Sequence, residues 1–195
     1  MANDLVAKPV SATGGVLGAL LESGLAIPKN AYEPLPEEFA PYGLVSDEGV
    51  TRTVDASDDK ISAWGGDVVR ILRSDHSVSY ALTFLEGANA ELLKAIHGEE
   101  NVIIGDQSIE IRHTSKLPLR RAFVFEMRDD PAAIREVVPH GQLAQTGDVS
   151  FVHTDLIRYQ VTIEAFPDAN GVKAYSYIQR DAYVGGVLVP PTTTP

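Results

Sequence analysis

The side chains that could hold a metal or move a proton are five histidines, His76, His97, His113, His140 and His153, and a large excess of carboxylates. The histidines are scattered. Glu110 and His113 come nearest to a ligand pair, but residues 108–113 read as a strand, where a spacing of three turns the two side chains to opposite faces. Asp168-Ala169-Asn170-Gly171 is only superficially like a calcium loop. That template wants an acid or amide at its fifth position and glycine at its sixth, where this chain has Val172 and Lys173. Gly14-Gly15-Val16-Leu17-Gly18 lacks the Gly-x-Gly-x-x-Gly spacing of a dinucleotide site and follows no strand. Asp55, Asp58 and Asp59 would bind a cation only if clustered, and they read as solvated loop charges. No serine sits in a Gly-x-Ser-x-Gly elbow. There is no cysteine, which excludes disulfides, thiol nucleophiles and thiolate zinc sites. These residues predict no catalytic site, no cofactor and no metal.

Composition narrows the field further. The 195 residues carry 16 Lys and Arg against 27 Asp and Glu, a formal charge of −11, with 44% hydrophobic residues. That is enough apolar material for one generous core. The acidic balance argues against a surface that grips phosphates, because such binding is driven by basic side chains. It is compatible with nucleic acid sliding past. The longest apolar stretch, residues 16–21, contains Gly18 and stops at Glu22, far short of the roughly 20 residues that cross a bilayer. No basic cluster precedes it, so a soluble product without membrane association is expected.

The elements that would position any site are mostly strands. Residues 1–42 are punctuated by Pro9, Gly14, Gly15, Gly18, Gly24, Pro28, Pro34, Pro36 and Pro41, which predicts an extended arm with at most a helical turn or two near Leu17, Leu20 and Leu21. Short strands are expected at 43–46 and 49–54, then a polar loop over 55–66, then strands at 68–73 and 77–85 divided by a turn at Ser74-Asp75-His76. Val78, Tyr80, Leu82 and Phe84 alternate with polar or small residues, the mark of a half-buried antiparallel strand. One helix is predicted over 89–97, capped by Asn89, striped by Leu92, Leu93 and Ile96, and ended by Gly98. Further strands are predicted at 102–104, 108–113, 119–127, 134–138, 147–152, 156–165 and 172–178, the last two joined as a hairpin through Asn170-Gly171. Residues 187–195 end in a proline- and threonine-rich tail. So many strands with one short helix and extended terminal arms predict a mainly β protein, an antiparallel sandwich or barrel over 43–186.

Trp64 is the only tryptophan, and it lies in the glycine-flanked polar stretch, not in a strand. Two readings stand: it folds back onto its own core, or it anchors a contact to another chain, a role in which tryptophan is enriched.

The run 42–51 (YGLVSDEGVT), then 58–66 (DDKISAWGG) and Val68-Val69-Arg70, is similar to the major tail tube protein of long-tailed, non-contractile bacteriophages, especially those of actinobacteria. Ser77-Val78-Ser79-Tyr80, the helix 91–97, Gly147-Asp148-Val149, Ala165-Phe166-Pro167-Asp168 and the upstream Thr13-Gly14-Gly15-Val16 continue the pattern in order. The resemblance implies a non-enzymatic structural β-sandwich subunit that closes into hexameric rings, which stack into a tube conducting DNA without specific binding. It implies as partners further copies of the chain, a tape-measure protein and other tail proteins, and a place in the virion tail after assembly in the host cytoplasm. Matched by position, the 1–42 arm, the 55–66 stretch and the C-terminal tail would reach the next ring, with Asp58, Asp59, Ile61 and Trp64 as contact residues. The alternative from another class is a monomeric ligand-binding β-sandwich module, for which a lone loop tryptophan would also serve. A hydrolase with a carboxylate pair has only the abundance of Asp and Glu in its favour.

Overall fold

Alternating apolar positions between glycine- and proline-bearing turns make this chain a succession of strands. The computed structural model describes residues 10–22, 24–129, 132–180, 183–184 and 187–188. In chain order the elements are β1 (Val10–Leu20), β2 (Ala40–Pro41), β3 (Val45–Ser62), β4 (Val68–Phe84), α1 (Ala90–His97), β5 (Val102–Ile104), β6 (Ile109–Ile111), β7 (Arg121–Asp129), β8 (Ala132–Gln145), β9 (Tyr159–Phe166), β10 (Tyr175–Gln179), β11 (Tyr183–Val184) and β12 (Val187–Leu188). Eight strands form one antiparallel sheet in the order β2-β1-β7-β8-β9-β4-β3, with β10 added to β8. Among the described residues the protein is mainly β with a single short α-helix, and the sheet does not close into a barrel.

The sheet is nevertheless strongly curled. Tyr80 of β4 stacks on Phe125 of β7 with ring centroids 4.9 Å apart, although β8 and β9 lie between those strands. A flat sheet would separate them by about 14 Å. The concave side encloses the main core, built from the alternating Val78, Tyr80, Leu82 and Phe84 of β4 and Tyr159, Val161, Ile163 and Ala165 of β9. Helix α1 covers one end of that core with Leu92, Leu93, Ala95 and Ile96. Asn89 caps it by accepting hydrogen bonds from the backbone N–H groups of Glu91 and Leu92, both at 3.1 Å. The Gly98 N–H closes the other end on the Lys94 carbonyl at 2.8 Å.

At that helix end His97 meets His113 edge-on, ring centroids 4.9 Å apart, and its Nε2 is buried without a hydrogen-bond partner. Desolvation, and then the neighbouring His113, hold the His97 imidazole below its ordinary pKa. Below about pH 6.5 the unfolded chain therefore takes up a proton that the native chain refuses, so stability falls as the pH drops. The loss begins near pH 6.5 and levels off beneath the native pKa. Chemical denaturation between pH 8 and 5 should show this decline, and it should flatten in His97→Gln.

A second, smaller core lies on the convex side, where Leu17, Ala19, Phe39, Ala122, Val124 and Val137 pack with Leu21, Leu25, Ile27 and Leu35. Of the expected arm, residues 10–20 and 40–41 are strands and 21–22 and 24–39 run irregularly through bends and turns, and Val16, Leu17, Ala19, Phe39 and Tyr42 bring the segment into the cores. Val16 faces the main core while Leu17 and Ala19 face the second. A strand buried on both faces reads as a continuous apolar run, not as an alternation, and this is why a helical turn near Leu17 and Leu20 was a competing expectation. The structure makes that turn a strand paired with β7. Gly18 lets the fully buried Tyr42 ring lie directly on β1, in the space a Cβ would take. Gly18→Ala should therefore destabilise by about 1–3 kcal/mol through overpacking, read as a lower urea midpoint with an unchanged slope.

Four further expectations are corrected. Residues 55–66 are not a loop: β3 runs on to Ser62 and pairs with β4 back to Val68, and Ser74-Asp75-His76 is no turn but part of β4. Residues 147–152 form no strand and belong to the irregular connection between β8 and β9. The Asn170-Gly171 turn is tight, with Asp168 N–H donating to the Val172 carbonyl at 2.9 Å, yet it does not fold β10 back on β9. Both strands lie end to end along the same edge of β8, β9 against residues 140–145 and β10 against 133–137. Pro139, which has no N–H to donate, occupies the changeover. Of the expected C-terminal tail, Val187 and Leu188 pair with β11, and 189–195 lie outside the described residues.

Candidate assembly interface

The part of β3 and β4 beyond Val54 and Val78 is the feature no single-chain role accounts for. The two strands stay in antiparallel register from Val54↔Val78 to Ser62↔Val68, with bulges between Ser57 and Asp58 and between Ile61 and Ser62. A tight turn joins them: Ala63 N–H donates to the Asp67 carbonyl at 2.8 Å and Gly66 N–H to the Ala63 carbonyl at 2.9 Å. Gly66 has φ +91°, a backbone conformation that side-chain-bearing residues rarely adopt. Residues 51–72 are all exposed. A two-stranded ribbon with neither face covered is at best marginally stable in water.

Trp64 stands at the turn and is fully exposed, at 106% of its reference area. The fold-back reading of this residue is thereby excluded. Asp59 and Ile61 lie on one face of the ribbon, opposite Leu72 and Arg70 respectively, while Asp58 alternates to the other face with Lys60. The four residues singled out from sequence thus share the ribbon but not one face. Val54, Val68, Val69, Ile71 and Leu72 are exposed beside them. These were missed as contact candidates because the run 68–72 has the composition of an ordinary buried strand.

The root of the ribbon is clamped. Glu136 of β8, mostly buried, accepts from Arg52 Nη1 at 3.2 Å on both oxygens and from the Tyr80 hydroxyl at 3.0 Å. The same Arg52 nitrogen donates to Ser176 Oγ at 3.2 Å. Burial, reinforced by the Glu136 charge, pushes the Tyr80 hydroxyl well above the ordinary tyrosine pKa. The Arg52–Glu136 contact spans the concave side of the sheet and ties β3 to β8. On the other flank β3 is the last strand of the sheet, so its outer edge has no ladder partner within the described residues. An edge of that length is a template for pairing with another chain.

Among the described residues no group of three or more His, Asp or Glu could hold a metal ion. Glu110 pairs with Arg112 at 2.9 Å and not with His113. Asp168 is occupied by its own turn, accepting from the backbone of Asn170 and Val172 and from the Tyr175 hydroxyl. Among the described residues no helix is long and apolar enough to cross a membrane, which says nothing of strands.

A family model described as phage tail tube protein matches residues 1–188. No curated protein matches the chain. Among solved structures, the chain is similar to one from the sheath-tube complex of an extracellular contractile injection system (PVC) in its extended state. The TM-score is 0.41 at 13% identity, over 88% of this chain and 92% of that one. It is also similar to a chain of the anti-feeding prophage cap, which terminates the AFP tube, with TM-score 0.41, 10% identity, and coverage of 92% and 97%.

Proposed function

Because the chain belongs to the phage tail tube protein family, we propose that it is the repeating subunit of a tail tube, closing into hexameric rings that stack into a conduit for DNA. The observation that carries this reading is the β3–β4 ribbon, which leaves Trp64 fully exposed and Ile61, Val68, Val69 and Ile71 about half exposed to solvent. Exposed apolar side chains gathered on one projecting ribbon, on both of its faces, mark a surface that another chain can cover. Two kinds of contact follow from two kinds of surface. Sheet edges pair around a ring, where rotational closure leaves none unsatisfied, while a head-to-tail contact between rings propagates a filament. The ribbon, with Asp58, Asp59, Ile61 and Trp64, serves the second contact, assisted by the segment 1–42 and by residues 187–195.

The charge balance suits a conduit. With 27 carboxylates against 16 cations, a carboxylate-lined bore repels phosphates and offers no ladder of cations to retain them. Screening confines the effect to about 8 Å from the wall at physiological salt. The tube would belong to the tail of a long-tailed, non-contractile phage, assembled in the host cytoplasm around a tape-measure protein. Native mass spectrometry of the purified chain tests the ring number: a dominant sixfold species, or its stacked multiples, is the expected result, and a different closed number refutes the hexamer.

A further inference from the structure

The two ends of the curled sheet face each other and fail to join. β1 lies toward one end, with β2 pairing only with its Leu17 and Gly18, and β3 forms the other end. Five successive antiparallel pairings separate them, so β1 and β3 run in opposite directions, as partners in an antiparallel ladder would. They also come close. A Cβ at Gly15 would stand 3.9 Å from a Val45 methyl, and the Tyr42 N–H donates to the Val16 carbonyl at 3.0 Å. Beyond that bond the described residues of β1 and β3 form no ladder. A hollow of about 430 Å³ opens instead, lined by Ser11, Gly15, Val45, Ser46, Gly49 and Phe125 among others.

Both strands leave their regular ladders at this level. On β1, Ser11 stands opposite Met127 and Val16 opposite Phe125, so residues 12–15 face Glu126 alone. On β3, Val45 stands opposite Phe84 and Val50 opposite Leu82, so residues 46–49 face Thr83 alone. Each excursion therefore holds three residues more than a regular strand would. Each also ends on a glycine with left-handed backbone, Gly15 at φ +78° and Gly49 at φ +69°, and both glycines line the same hollow. Extra residues bend a strand and disrupt its pairing. Here they do so on the two edges that would otherwise meet. A regular seam would zip from Tyr42 and Val16 toward the ribbon and draw the chain before Val10 along the outer edge of β3. Resting on the tube reading above, we propose that the paired excursions 12–15 and 46–49 are a device that holds the sheet open. They keep the outer edge of β3 over residues 50–56 available to a second copy, where a closed seam would seal the subunit as a monomer.

Shortening each excursion to one residue tests this. Removal of Thr13–Gly15 leaves Ala12 opposite Glu126, and removal of Asp47–Gly49 leaves Ser46 opposite Thr83. The chain lacking both should need about tenfold or more protein to form tubes, because its outer edge is already paired. It should melt about 2–4 °C higher, since closure adds ladder bonds. Its amide exchange across residues 10–16 and 45–56 should slow about a hundredfold. Either removal alone leaves one irregular edge and should assemble within about threefold of the unaltered chain. A doubly shortened chain that melts below the unaltered one, exchanges no more slowly or assembles as readily overturns the proposal. A second measurement needs no variant. In the free unaltered subunit, the amides of Thr51–Ala56 turned away from β4 should exchange at close to the unprotected rate. Strong protection there would mean that the edge is already occupied, and overturns the proposal as well. If the unaltered protein forms no tubes, the tube reading itself fails, while melting and exchange still decide whether the excursions hold the seam open.

Discussion

Trp64→Ala should abolish assembly at concentrations where the unaltered chain assembles, while moving the melting temperature of the isolated subunit by no more than about 2 °C. The reasoning is geometric. The indole touches nothing in its own chain, being fully exposed at the ribbon turn, so its removal creates no cavity and withdraws no core contact. At an interface the same side chain is of the type that dominates binding, where truncation costs about 2 kcal/mol or more. Each 1.4 kcal/mol is roughly tenfold in affinity, and the loss recurs at every subunit of a ring. Sedimentation reads assembly and calorimetry reads stability. A variant that melts much lower would mean that Trp64 packs on its own chain.

The largest effect on stability should come from Arg135→Ala. Its guanidinium is buried beneath the second core, donating from Nε to Glu126, from Nη1 to the Asn30 carbonyl at 2.8 Å and from Nη2 to the Glu33 carbonyl at 2.9 Å. It thereby holds the proline-rich segment 28–36, which forms no ladder of its own, over β7 and β8. Truncation leaves the mostly buried Glu126 without its partner and two carbonyls without donors. Breaking a buried pair in this way costs about 3–5 kcal/mol, which for a chain of this length is roughly 6–20 °C in melting temperature. Calorimetry checks it. A loss below about 1 kcal/mol would show that the segment is held by its apolar contacts alone.

What could be read from sequence divides along physical lines. β4 and β9 were legible because each has one face in the core and one in water, which writes a period of two into Val78–Phe84 and Tyr159–Ala165. Helix α1 was legible from its cap Asn89 and its terminating Gly98. β1 was hidden by burial on both faces, and the far half of β3 by exposure on both. Without a wet and a dry side there is no alternation to find. Pairing across the sheet left no local mark either: Arg52, Tyr80 and Glu136 come together from positions 84 and 56 residues apart. Nor did Asn170-Gly171 reveal that β10 continues the lane of β9 along β8 and does not return on it. Of the candidate contact residues, Trp64 could be picked out as an unusual residue in a polar stretch, but its exposure at the end of a ribbon required the fold.

Negative-stain electron microscopy of the concentrated, purified chain tests the central claim most directly. Hollow cylinders or stacked rings with a regular axial repeat are the predicted result. Fields of single small particles at every concentration and ionic strength tried would contradict it.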